Sequence, residues 1–588
     1  MRSKSASTAA AIVLCLGLGL AVPGHAAGSP DAELRAEIDS AIKQAETNMH
    51  GVFKWDGAEH MDVRADGDAA VADISNARIL IQNKNAQPPM TRARINLDHI
   101  EVRRAPRPDG LVDISINLPA NASIQPADGE ETKVTLKDGT VHLALDPQTE
   151  RARELVIAIA GARVEDKTGD WATFGPLSAS TKVSSAADNS WNQPFSLEFK
   201  QIEAFFAKNR AGGTIEHIAY SGRGAGPDLP ALYRLSDRMK ALQNDIAQNQ
   251  RKSPQPQDMD ALFGMLGEFF SLFSQMEGEL TVENAAARGA NAAPLFSLGS
   301  ASLATKIDGT SGDKAMLRVT YKHDGLELGP MLPVGPGRVP RQAVLDFGVE
   351  DVATAPLKQL IEAAAAMHKA VAPADKQRAT QQMLGAAAML TPDFHIYDLV
   401  FDTQAFGIKG TAEAKGSPIS PKGYSAQGDV SVRSLDALPN LFPLPQIADY
   451  VPLLQVIGEP AKTPDGAPLT RFHLISAPPK WVAINGNDLS AWFLPGPASS
   501  NAPRRLRVAE PPLSGDDVRA VQKALFDKAA GVPQQTMKPG IYDGATAAAV
   551  ARFQKSSGLN VDGVVDVATR DKLGIKAESA HPTPARPN

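Results

Sequence analysis

Imidazole serves both as general base and as metal ligand, so the histidines are the first residues to test for chemistry. Eleven occur in the 588 residues, at positions 25, 50, 60, 99, 142, 217, 323, 368, 395, 473 and 581. No two stand four apart, and no His-Glu-x-x-His or comparable ligand spacing is present, so no metal site is predicted. The one cysteine, Cys15, lies in the N-terminal apolar segment, which leaves the rest of the chain without a thiol nucleophile. Neither a Gly-x-Ser-x-Gly elbow nor a Gly-rich phosphate loop is present. Carboxylates are plentiful, so a two-carboxylate glycosidase stays open, with no pair singled out. The expectation is a protein with no catalytic residue, no metal and no cofactor.

The N-terminus predicts the compartment. Met1 to Ala26 carries Arg2 and Lys4 but no acid, then an apolar run from Ala9 to Val22, then small residues Gly24 and Ala26. That is the pattern of a cleaved secretory signal peptide, 1–26, and it places the protein in the periplasm. Its removal takes the formal net charge from −6 to −8. Mild acidity over so long a chain argues against nucleic acid as a partner.

The C-terminal end states one pattern twice. In "GIYDGATAAAVARFQKSSGLNVDGVVDVATRDKL", a shift of 23 residues lays Gly540 on Gly563, Asp543 on Asp566, Thr546 on Thr569 and Val550 on Leu573. Before it, "GDDVRAVQKALF" puts Val518, Val521, Leu525 and Phe526 on one helical face, with Ser514 or Asp516 as its cap. Thr546 and Thr569 are read as caps of the next two helices. Three short helices around one core are predicted over 513–574. The five prolines between Leu494 and Leu513 make 496–512 read as an extended linker, able to span roughly 50 Å at about 3.1 Å per residue. Residues 575–588 read as a disordered tail.

The segments "GDDVRAVQKAL", "GIYDGATAAAVARFQ" and "GLNVDGVVDVATRDKL" resemble the peptidoglycan-binding domain appended to many bacterial wall hydrolases and envelope proteins. Pro539-Gly540 departs from the usual Asp-Gly of the first copy, Phe526 to Pro539 is a longer connection, and Asp566 stands where glycine is frequent. The resemblance implies peptidoglycan as partner. On it, Gln522 and Gln554 either contact a glycan or stem peptide or satisfy turn carbonyls. Tyr542 is read as an exposed contact for a sugar face and Arg552 as one for a peptide carboxylate.

Residues 27–495 have a different texture, with many short alternating runs. "KVTLKDGTVHLAL" is read as a hairpin turning at Asp138-Gly139. Helical patterns interrupt the strands at about 228–277 and 355–390. The fold class is α+β: a large body with a long antiparallel meandering sheet and inserted helices, plus the small helical domain. This texture resembles the YdgA-like and AsmA-like envelope proteins, which implies envelope organisation or lipid handling. From Met259 to Met276, one helix is expected to carry Phe263, Leu266, Phe269, Phe273 and Met276 as a stripe. That stripe is either core or a lid over a hydrophobic ligand.

Three functions follow. The first is a non-catalytic exported protein whose tail binds peptidoglycan and tethers the body for envelope organisation, with an envelope protein as a further partner. The second is a wall-anchored lipid-binding or transfer protein. The third is a wall hydrolase with an unrecognised carboxylate site.

Overall fold

A computed structural model describes residues 29–48, 52–83, 90–149, 151–248, 256–330, 332, 338–416, 423–441, 445–464, 466–478, 480–492, 504–509, 511–528 and 537–575. The expected signal peptide, residues 496–503 of the expected linker, and all but the first residue of the expected tail lie outside these. The chain divides into two compact units, residues up to 333 with 352–390, and 334–351 with 391 onward.

The first unit is an antiparallel meander. Ala69–Asn83 pairs with Met90–Pro106, and Thr132–Asp146 with Arg151–Asp166. Trp191–Phe206, Ala211–Gly226, Gln275–Arg288, Pro294–Asp308 and Lys314–Asp324 then follow as consecutive neighbours. Helix α1 (Pro30–Asn48) lays Leu34 and Ile38 into the core formed with Ala72, Ile79, Ile95 and Ile114. Arg104, buried on the strand beneath, holds Glu33 and Glu37 of α1 at 2.9 Å each. Two helical hairpins are inserted, α2 (Leu229–Gln248) with α3 (Pro256–Leu272), and α4 (Thr354–Lys369) with α5 (Pro373–Met389).

Asp138-Gly139 is not a hairpin turn. Thr132–Asp146 runs straight through it: Asp138, at φ 22°, drops out of the ladder with Arg151–Asp166 without changing its register, which shifts only later, between Ala144 and Leu145. Asp324-Gly325 behaves alike, since Lys314–Asp324 and Glu327–Leu328 both pair with Pro294–Asp308. A row of such breaks crosses four strands at Gln201, Glu216, Asn284 and Gly299, with Gln201 and Asn284 left-handed at φ 52° and 49°. Asn and Asp tolerate that region, so they kink a long strand as readily as they reverse it.

The register of these strands aligns Leu197, Tyr220, Leu280, Leu303 and Tyr321 in one row. The last four remain 40–45% exposed. The opposite face carries Glu198, His217 and Glu283, with His217 between the two carboxylates at 2.8 and 3.2 Å.

In the second unit, Gln342–Ala353, Asp393–Asp402, Gly407–Gly416, Tyr424–Arg433 and Pro468–Ala477 pair in that order, all antiparallel. After the short helix α6 (Leu438–Leu441), helix α7 (Pro445–Ile457) covers the apolar face, packing Val451 and Leu454 against Phe406, Val432 and Phe472. No helix among the described residues is long and apolar enough to cross a membrane.

Candidate functional site

The repeated sequence folds as a repeated clamp. Helices α8 (Asp516–Asp527), α9 (Gly544–Ser556) and α10 (Val567–Leu573) are joined by two glycine turns. Gln522 on α8 donates to the carbonyls of Lys538 and Ile541 and to Thr546 Oγ1, and accepts from the Gly540 amide at 2.8 Å. Gln554 on α9 repeats this one turn later. It donates to Asp562 Oδ1, the Val564 carbonyl and Thr569 Oγ1, and accepts from Gly563 N, also at 2.8 Å. Gly540 and Gly563 sit at φ 70° and 65°, where a Cβ is strained.

The caps differ from expectation. Asp543 and Asp566, not the threonines, are the N-caps, and each accepts from the amide of Thr546 or Thr569 three residues on. A carboxylate on the orphan amides at a helix N-terminus is the stronger arrangement, which accounts for Asp566 where glycine is frequent. Helix α8 starts at Gly515 without a side-chain cap, so neither Ser514 nor Asp516 fills that role.

The four expected contact residues divide. Tyr542 is fully buried and donates its hydroxyl to the Gly563 carbonyl at 2.7 Å, locking one turn onto the other. An exposed sugar platform is therefore ruled out at this position. Its apolar ring goes inward because the turn beneath offers the hydroxyl a partner, and burial pushes the phenol well above its usual range. Gln554, 2% exposed, and half-buried Gln522 satisfy turn groups, the second of the two readings left open. Arg552 is exposed on α9. Phe526, expected on one helical face with Val518, Val521 and Leu525, stands 55% exposed beside Lys523 and Asp527 on α8. Asp562 and Arg570 are also held inside. Burial raises the Asp562 carboxyl against the bonds it accepts from Val564 and Gln554, and burial lowers Arg570, whose guanidinium donates to the Arg504 carbonyl.

The described part of the expected linker is not a free tether. Leu506 is fully buried and exchanges backbone hydrogen bonds with Val565 at 2.9 and 3.3 Å. The helical domain also rests on α7. Leu453, fully buried, enters the second glycine turn so closely that a Cβ on Gly563 would lie 2.9 Å from its Cδ1. Asn560 exchanges two hydrogen bonds with the Asp488 backbone at 2.6 Å, and Arg507 donates to the Ala491 carbonyl. Ala547 to Ala551 are buried on all sides of α9 as a result. The run of five small residues through 545–549 was the signal available in the sequence for this close approach.

The expected ligand helix is core along a different line. It ends at Leu272, so Phe273 lies past it and Met276 belongs to the strand Gln275–Arg288, opposite Gly224 and Ile307. Its buried side is Met265 and Leu272, with Phe269 and Phe273 packed on them and on Leu235 of α2. Leu266 points outward at 42% exposure. Phe263 lines an open groove of about 410 Å³ with Met367, His368 and Met383. Among the described residues no cluster of metal-ligating side chains occurs.

Residues 514–573 match the family of putative peptidoglycan binding domains. No curated protein and no solved structure matches the chain, so the resemblance of the body to YdgA-like and AsmA-like proteins has no support.

Proposed function

We propose that this chain is a non-catalytic, exported protein of the periplasm that grips peptidoglycan through residues 514–573 and holds its β-rich units at the wall. The family match to that segment carries the reading. The double glutamine clamp supports it, because both turns and both caps are built without a missing partner. The contact of α7 with α9 then couples the strands of the second unit to the wall directly, not through a flexible linker. Arg552 remains the cation available for a stem-peptide carboxylate. Co-sedimentation of the full chain with purified sacculi tests the reading. Binding weakened by Arg552→Ala is expected, and a chain left in the supernatant contradicts it.

A second reading is a wall-held binder of hydrophobic molecules. The exposed row Tyr220, Leu280, Leu303 and Tyr321 favours it, since contiguous apolar surface on a sheet face marks a binding surface more often than isolated apolar residues do. Lipid recovered with the purified chain, and lost in Leu280→Ser/Leu303→Ser, is its expected mark.

A further inference from the structure

The outward face of the second unit carries charges that form no ion pair among the described residues. Register places Lys409, Ser431 and Arg471 side by side on three strands, and Thr411, Asp429 and His473 in the row beside them. Glu459 lies opposite Arg471 on the edge strand Glu459–Lys462. At the other side, Tyr397 and Asp398 together oppose Thr411, a bulge that turns Asp398 toward the same place. Apart from Tyr397, these residues line, with Asn485, a cleft of about 400 Å³, within the ordinary range for small-molecule sites.

Its charges are sorted. Asp429 and His473 satisfy one another at 2.8 Å through Nδ1, and Asn485 Oδ1 fixes the His473 backbone amide. Lys409, Arg471, Asp398 and Glu459 form no ion pair among the described residues, although Glu459 and Arg471 are direct cross-strand neighbours. Two cations and two carboxylates, held apart around one cleft, match a ligand whose own opposite charges are held apart. Arginine and lysine take a carboxylate, and the two carboxylates take an ammonium. The Ser431 hydroxyl donates to the Lys409 carbonyl at 3.3 Å and has no bond to His473. No hydroxyl–imidazole pair is therefore assembled between Ser431 and His473.

We infer that this cleft binds a small zwitterion of the amino-acid or short-peptide class. It stands on the cleft's own charges, independently of the wall reading, although a peptidoglycan stem peptide carries this chemistry. Calorimetry on the full chain tests it with two probes, free meso-diaminopimelate and the stem tripeptide L-Ala-γ-D-Glu-meso-diaminopimelate, which separate a free amino acid from a peptide source. Binding of at least one probe is expected. Arg471→Gln or Lys409→Gln, both at exposed positions, weakens it by about tenfold or more, as loss of a charged hydrogen-bond partner does. Amine acetylation of the bound probe weakens it likewise. Failure of both probes to bind, or binding unchanged in both variants with unaltered circular dichroism, overturns the site. Sacculus co-sedimentation of the same variants keeps the two readings apart, because that depends on 514–573 and this does not.

Discussion

The two glutamines decide whether the wall-binding fold holds together. Each serves four or more groups of its turn, so truncation leaves several buried donors and acceptors without partners. Gln554→Ala is expected to destabilise residues 540–573 by roughly 3 kcal/mol, and half-buried Gln522→Ala by roughly 1–2 kcal/mol. Hydrogen exchange of the peptides spanning both turns, in the full chain, measures both. Asp562 adds a pH dependence. Its folded carboxyl titrates above the unfolded value because of burial, so the folded state keeps its proton longer. Its contribution is most favourable below the unfolded value, and is lost as pH rises through the raised folded one. Asp562→Asn should flatten the fall in denaturant midpoint across the upper carboxylate range, and an unchanged slope would assign that fall to another group. The repeat was legible at this scale because glycine, aspartate and threonine recur at one spacing for local backbone reasons. Tyr542 was misread because a tyrosine after a glycine turn is equally suited to either face. Only the carbonyl of Gly563, 21 residues on, fixes it inward.

At the scale of elements, long-range contacts override local punctuation. Asp138-Gly139 has the composition of a hairpin turn, but both its arms find the same partner strand, and the ladder continues past one kinked residue. The helical insertions were legible from their periodicity. Which stripe faces inward was not, because Phe-rich α3 offers apolar residues nearly all round and α2 selects among them. Phe269→Ser should therefore lower stability by about 2 kcal/mol or more, while Leu266→Ser, on the exposed side, stays within about 0.5 kcal/mol. Equal effects of the two on the melting temperature would contradict this packing. The seat of α9 on α7 has its own paired test. Gly558 and Gly563 share nearly the same φ, 68° and 65°, but a Cβ at Gly558 meets nothing whereas one at Gly563 meets Leu453 and the Ala547 carbonyl. Gly558→Ala should cost about 1–2 kcal/mol of backbone strain alone. Gly563→Ala should cost more and raise exchange in α7 as well, and matching costs would mean that α7 does not seat there.

For the whole molecule, the wall-binding segment belongs to the second compact unit, with the strands from Asp393 to Asp488. The proline-rich composition before it suggested a tether, and Leu506 in the core of the helical domain shows how one apolar residue pins such a segment. The sequence had no means of revealing the cleft between Lys409 and Arg471, whose residues lie 62 positions apart and meet only through strand register. The most direct measurement is co-sedimentation of the full chain with purified sacculi, beside the same chain carrying Gln522→Ala/Gln554→Ala. Sedimentation of the parent chain and its loss in the double variant are predicted. A parent chain that remains in the supernatant, or a double variant with a collapsed helical domain by hydrogen exchange that still sediments as the parent does, would contradict attachment through residues 514–573.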